Sequence, residues 1–168
     1  MDRHLWLIGM MGSGKSTVGR LVADRLECPF YDTDTLVEAS AGMSIMEIFE
    51  RSGEDGFRDR ERAAIAEIAT SPAGIVATGG GAVLDFANVE AMGESGTVVL
   101  LAVETDVLVE RLSEDGQRPL LLEGIESAIL SIARVRTDLY EESADVVVDA
   151  SRPIDTVVAQ VEAICIAS

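Results

Sequence analysis

The sequence predicts an α/β protein, a three-layer αβα sandwich built on a five-stranded parallel sheet. Three observations carry this. Five short apolar runs alternate with stretches of helical periodicity. The first run is continuously apolar, as a strand covered on both faces is. The turns after Ile8, Tyr31 and Ala77 hold glycine or aspartate, the residues expected at the carboxyl ends of strands in a ligand-binding sheet. The 168 residues suit one compact domain spanning residues 1–168, and no repeat, low-complexity tract or linker interrupts the pattern.

Each element follows from its residues. Leu5-Trp6-Leu7-Ile8 ends at Gly9 as a buried strand would, and a helix pattern follows from Ser16 to Leu26, with Val18, Leu21, Val22 and Leu26 at helical spacing. Further strands are predicted at Pro29-Phe30-Tyr31, Gly74 to Ala77, Thr97 to Val103 and Ala144 to Val148. Helices are predicted over about 34–41, 44–52, 57–70, 105–113, 127–142 and 154–166. Ser44 and Glu47 have capping-box spacing, which marks a helix start. Strands alternating with helices favour a parallel sheet joined by right-handed crossovers.

Composition excludes several function classes. Thirteen Lys and Arg against 30 Asp and Glu give a net charge of −17, a field that repels nucleic acid and anionic membranes. Two cysteines without CxxC spacing and a single histidine, His4, argue against a zinc cluster or a disulfide framework. The amino-terminal residues lack a signal peptide's apolar stretch, and no run of 18 apolar residues follows, so a cytoplasmic protein is expected.

Gly9-Met10-Met11-Gly12-Ser13-Gly14-Lys15-Ser16 fits G-x-x-x-x-G-K-[ST], placed between an apolar run and an amphipathic helix as the motif requires. The glycines let backbone N–H groups curl around phosphate, and the helix adds its positive dipole end. Lys15 is suited to bridging the β- and γ-phosphates and the Ser16 hydroxyl to binding Mg²⁺. Lys15 is also the only lysine in the chain, beside 12 arginines. A compact ammonium suits a point between two phosphates. This loop alone is compatible with a motor, a switch, a ligase or a small-molecule kinase.

Other residues narrow the choice. Asp32-Thr33-Asp34 follows the second strand, so its carboxylates sit on the same rim as the phosphate loop. Read as extended chain, the segment is expected to send them to different sides, Asp32 toward a metal and Asp34 toward a substrate hydroxyl. Arg58 and Glu61 lie three apart on one helix face. Thr78-Gly79-Gly80-Gly81 offers bare backbone that a ligand can approach closely. Gln117-Arg118-Pro119-Leu120 lies in a polar stretch, about 114–125, where a lid is expected, and Arg136 and Tyr140 lie in the helix after it.

Taken in order and at their spacing, these motifs resemble the shikimate kinases. The likeness covers the phosphate loop, Asp32-Thr33-Asp34, Gly53-Glu54, Phe57-Arg58 with Glu61, the triple glycine, Arg118-Pro119-Leu120-Leu121 and Arg136 with Leu139-Tyr140, from about residue 5 to residue 150. The resemblance implies a P-loop NTPase fold of the nucleoside-monophosphate-kinase type, acting as a monomer, that transfers the γ-phosphoryl of ATP to the 3-hydroxyl of shikimate in aromatic amino-acid biosynthesis. It implies that helices over about 33–61 bind shikimate, with Asp34 as base, Arg58 and Arg136 on the carboxylate, and Gly79, Gly80 and Gly81 touching the ring. Lys15 and Arg118 would balance charge in the transition state, and Ser16 with Asp32 would organise Mg²⁺. Gly12, Ser13, Gly14, Lys15, Ser16, Thr17, Arg111, Arg118 and Arg152 would hold ATP. The sequence departs from the family in one place. Asp149-Ala150-Ser151-Arg152-Pro153 is shorter than the family's usual adenine loop.

Gluconate kinase on the same scaffold would account for the phosphate loop, but not for Arg58 with the triple glycine and Arg136. Five of the 13 cations, Lys15, Arg58, Arg111, Arg118 and Arg136, are assigned to the cleft. Surface charges are attenuated over about 8 Å at physiological salt, so those five can keep the cleft positive inside an acidic protein.

Overall fold

The structure, a computed structural model, describes residues 2–114 and 122–167. Its elements run β1 (His4–Ile8), α1 (Lys15–Leu26), β2 (Phe30–Asp32), α2 (Thr33–Ala41), α3 (Ile45–Ala69), β3 (Ile75–Ala77), a 3₁₀ turn (Ala82–Leu84), α4 (Phe86–Ser95), β4 (Gly96–Ala102), α5 (Thr105–Glu114), α6 (Leu122–Ser143), β5 (Val146–Asp149) and α7 (Ile154–Ala167). The five strands form one parallel sheet in the order β2-β3-β1-β4-β5, with Leu5 beside Ile75 on one side and Thr97 on the other.

Side-chain alternation along the strands divides the interior into two cores. Leu5 and Leu7 of β1 with Val99 and Leu101 of β4 face α1 and α7, joining Val18, Val22, Val157 and Val161. Trp6, Ile8, Val98 and Leu100 face the opposite way, onto Ile65 and Ile68 of α3, Met92 of α4, Leu108 of α5 and Tyr140 of α6. That makes three layers. Burial of Leu5, Leu7 and Ile8 alone stabilises the sheet centre by about 1.5–3 kcal/mol per side chain. A smaller cluster of Val37, Ile48, Phe57 and Ala64 joins α2 to α3 beside the sheet.

The strand order places β1 at the sheet centre, where the chain stops adding strands on one side and begins on the other. Ligands of open parallel sheets bind at such a switch, outside the carboxyl ends of the strands. The phosphate loop leaves β1 there. His4 accepts a hydrogen bond from Gly74 N at 3.2 Å at the other end of the strand, away from this rim.

The predicted helices 44–52 and 57–70 are the two arms of α3, which meet at Gly53, whose φ of 67° and ψ of −170° are non-helical. The capping box of Ser44 and Glu47 is present. Two sequence expectations change. The 3₁₀ turn and α4 were not expected. Asp85 caps α4, accepting from Ala87 N at 3.0 Å, a signal obscured by Gly93 and Gly96 at its far end. Finally, α6 starts at Leu122 rather than near 127. Of the expected lid, Glu114 closes α5 and 122–125 open α6; Gln117 and Arg118 lie outside the described residues. Among the described residues, no helix is long and apolar enough to cross a membrane.

Candidate active site

The phosphate loop obtains its shape from glycine. Gly9, Gly12 and Gly14 have φ values of 141°, 78° and 91°, which other residues rarely adopt. Gly14 is the N-cap of α1 and supplies no side-chain cap, which leaves the helix's first N–H groups for an anion. Lys15 is buried and donates to the carbonyls of Gly9 and Met10, each at 2.8 Å. That burial lowers its pKa from 10.5 to about 8, against the pull of Asp34 and Asp32.

Asp32 serves two partners at once. Its Oδ2 accepts from the Ser16 hydroxyl at 2.7 Å, while Oδ1 accepts from Asp34 N at 3.1 Å and Thr35 N at 3.3 Å as the N-cap of α2. The cap and the metal-site readings of Asp32 are therefore compatible. The expected geometry of the segment needs correction. In extended chain, residues i and i+2 would share a side. Asp32 and Asp34 diverge because helix α2 begins at Thr33 between them.

Asp34 shares a cavity of about 310 Å³ with Lys15, Ser16, Thr78 and Gly80. Its Oδ1 is buried and has no hydrogen-bond partner among the described residues. Burial, then Asp32 and Glu61, push its pKa from 3.8 up to about 6, with Lys15 opposing. Glu61, 1% exposed, is a second carboxylate withdrawn from water. Its Oε2 accepts from Arg58 Nη1 at 2.7 Å, its Oε1 has no hydrogen-bond partner among the described residues, and burial raises its pKa despite Arg58 and Arg136. Arg58 reaches Glu54 as well, at 3.2 Å, and lies over the Phe57 ring.

The triple glycine is bare for a reason that differs from the expected one. A Cβ on Gly79 would lie 2.6 Å from Glu61 Oε1 and 2.8 Å from Asp34 Oδ1, and one on Gly81 would overlap the Arg58 guanidinium. The protein's own charged groups fill the space first. Gly79 N donates to the buried Thr33 hydroxyl at 2.9 Å, and the Gly80 carbonyl accepts from Arg136 Nη1 at 3.0 Å and from the Tyr140 hydroxyl. The sequence alone assigns no task to Thr33, Glu61 or Tyr140. The signal for Thr33 was its place between two aspartates, and for Glu61 its spacing from Arg58.

On the other side of the phosphate loop, a cavity of about 420 Å³ is lined by Gly12, Ser13, Gly14, Thr17, Arg111 and Arg152, among others. Arg111 Nη2 donates to Ala150 O at 2.8 Å, while exposed Arg152 bonds Asp149 at 3.0 Å. The short loop after β5 thus forms one wall of this cavity. Of the expected nucleotide residues, Gly12, Ser13, Gly14, Thr17, Arg111 and Arg152 line this cavity, Lys15 and Ser16 line the one that contains Asp34, and Arg118 lies outside the described residues. The expected acceptor residues Asp34, Arg58 and Arg136 meet around Gly79, Gly80 and Gly81.

Comparison with known proteins agrees with this geometry. A family model described as shikimate kinase matches residues 11–165. A shikimate kinase of Thiobacillus denitrificans is 47% identical over 150 residues, 89% of this chain and 82% of the relative. The solved shikimate kinase of Acinetobacter baumannii in complex with shikimate superposes with a TM-score of 0.89 at 33% identity, covering 98% of this chain and 93% of its own. A gluconokinase of Sinorhizobium meliloti, at a TM-score of 0.60 and 21% identity over 96% and 90% of the two chains, shares the fold alone. Phosphate loop, paired aspartates and arginine-lined triple glycine thus occur together in a chain that belongs to the shikimate kinase family.

Proposed function

We propose that this chain phosphorylates shikimate on its 3-hydroxyl with ATP, and that the two cavities divide the work. The observation that carries the reading is Asp34. Its half-buried carboxyl has an unpartnered oxygen in the cavity that also contains Lys15.

ATP binds with its base end toward Arg111 and Arg152 and its terminal phosphates against Gly12 to Thr17. Lys15 gives up loop carbonyls for phosphate oxygens, a charge-assisted exchange. Arg58 and Arg136 hold the acceptor's carboxylate, and the Gly79 to Gly81 backbone lies along its ring. Asp34 accepts a hydrogen bond from the 3-hydroxyl. As the new O–P bond forms and the bond from the γ-phosphorus to the bridging oxygen breaks, that proton passes to Asp34 and ADP leaves. A base so placed contributes about 10²–10⁴-fold. The remaining barrier is lowered by in-line positioning and by positive charge at the transferring phosphoryl, from Lys15 and Arg118.

The Ser16 hydroxyl and the Asp32 carboxylate form a hard-oxygen pair beside the phosphate loop, which fits Mg²⁺. The described residues contain no cluster of three His, Cys, Asp or Glu that could hold a metal, so water and phosphate oxygens would complete the coordination. Mg²⁺ held there would neutralise charge on the β- and γ-phosphates. The protein acts as a cytoplasmic monomer, and light scattering on the purified chain tests that state.

A coupled ADP-release assay with shikimate, quinate and gluconate tests the substrate. ADP release on shikimate is expected; release on gluconate with none on shikimate would overturn the assignment.

A further inference from the structure

The Gly80 carbonyl is a junction. Arg136 Nη1 donates to it at 3.0 Å and the Tyr140 hydroxyl donates to it as well, from one turn farther along α6 on the same face. Tyr140 is 4% exposed and belongs to the core cluster that contains Met10, Ala82 and Val83. Its oxygen lies 3.8 Å from Met10 Sδ, so it touches the phosphate loop too. On the opposite side, Gly79 hangs from Thr33, the neighbour of Asp34.

A carbonyl oxygen has two lone pairs, and two donors of α6 occupy this one. Arg136 cannot both keep its present bond and turn that N–H on an acceptor carboxylate. The carboxylate is the stronger partner for a guanidinium. Moving to it is favourable provided the part-buried carbonyl left behind keeps a donor, because an acceptor withdrawn from water without one is destabilised.

We propose that Tyr140 is a positioning residue for the acceptor: its hydroxyl holds the Gly80 carbonyl while Arg136 exchanges that carbonyl for the acceptor's carboxylate. This rests on the assignment of Arg136 to the carboxylate. Burial raises the pKa of the Tyr140 hydroxyl, so it remains a donor throughout the working pH range. Without it, each acceptor molecule that recruits Arg136 leaves the triple-glycine segment held by Thr33 alone among these side-chain contacts.

Tyr140→Phe keeps the ring in its core and removes only the donor. In steady-state kinetics on the full chain, it should raise the KM for shikimate about 5–20-fold and leave the KM for ATP within about twofold. In an Arg136→Ala background, where no exchange occurs, the same substitution should change the shikimate KM by less than about twofold. A purely structural role would lower the melting temperature and move both KM values together. An unchanged shikimate KM in Tyr140→Phe beside a raised one in Arg136→Ala would overturn the exchange while leaving the Arg136 assignment in place, as would fully additive effects in the double variant. An unchanged shikimate KM in Arg136→Ala itself would remove that assignment, and the exchange with it.

Discussion

The two ends of the cleft are built from different materials. The phosphate part of the nucleotide end is backbone from one contiguous segment, Gly9 to Ser16, shaped by positive-φ glycines and completed by the N-terminus of α1. Its one buried cation already has carbonyl partners at 2.8 Å. The acceptor end is side chains from α2, α3 and α6 gathered around bare glycines. There, Asp34 and Glu61 each leave a carboxyl oxygen without a hydrogen-bond partner among the described residues, and burial raises the pKa of both. Forming a helix after a strand supplies phosphate donors as a by-product of folding. A hydroxylated acid instead requires ionisable groups held in partly apolar surroundings, which costs stability where the chemistry needs it.

The largest effect expected from this contrast is on chemistry at the acceptor end alone. Asp34→Asn should lower kcat about 10²–10⁴-fold while the ATP dissociation constant, from calorimetry, stays within about threefold. Equal losses in both would merge the two ends into one. Next, Gly79→Ala forces a methyl against Asp34 and Glu61. It should destabilise the fold by about 1–3 kcal/mol in urea titrations and raise the shikimate KM more than the ATP KM.

The pH dependence should separate the ends by sign. With ATP saturating, kcat/KM for shikimate should rise with pH through about 6, as Asp34 becomes an available base. With shikimate saturating, kcat/KM for ATP should fall above about 8, as free Lys15 loses its proton. A shared single limb would argue against independent construction. The smallest effect is expected from Arg152→Ala. Its partner Asp149 and Arg152 itself are both largely exposed, so the melting temperature should hardly move, and the ATP KM should rise about threefold or less.

The contrast also explains what could be read from the sequence. The phosphate loop is local: its eight residues state their own geometry, and the strand before and helix after it were legible from periodicity. Ser16 with Asp32 was legible because β1, which leads into the phosphate loop, and β2, which ends at Asp32, finish on one rim. The acceptor end was legible as a set of residues but not as an arrangement. That Gly79 and Gly81 stay bare for Asp34, Glu61 and Arg58 depends on α2 and α3 packing together beside the sheet, and periodicity carries no distances. The bond from Tyr140 to Gly80 spans 60 residues in the chain. Helix α4 escaped because Gly93 and Gly96 weaken its pattern, whereas the break at Gly53 between the two arms of α3 was legible from its glycine.

If the acceptor end holds an ionised Asp34 at the expense of stability, thermal unfolding of the wild type and Asp34→Asn across pH reads that cost. The folded pKa of Asp34 is about 6 and its ordinary value 3.8, so between these the folded state binds more protons and loses stability as pH rises. Discounted for partial solvation, the accumulated penalty at pH 8 is about 1–2 kcal/mol. The stability of the Asn variant relative to wild type should increase from pH 4 to 6, leaving it the more stable protein at pH 8. A variant less stable than wild type at pH 8, or a difference that does not change with pH, would contradict it.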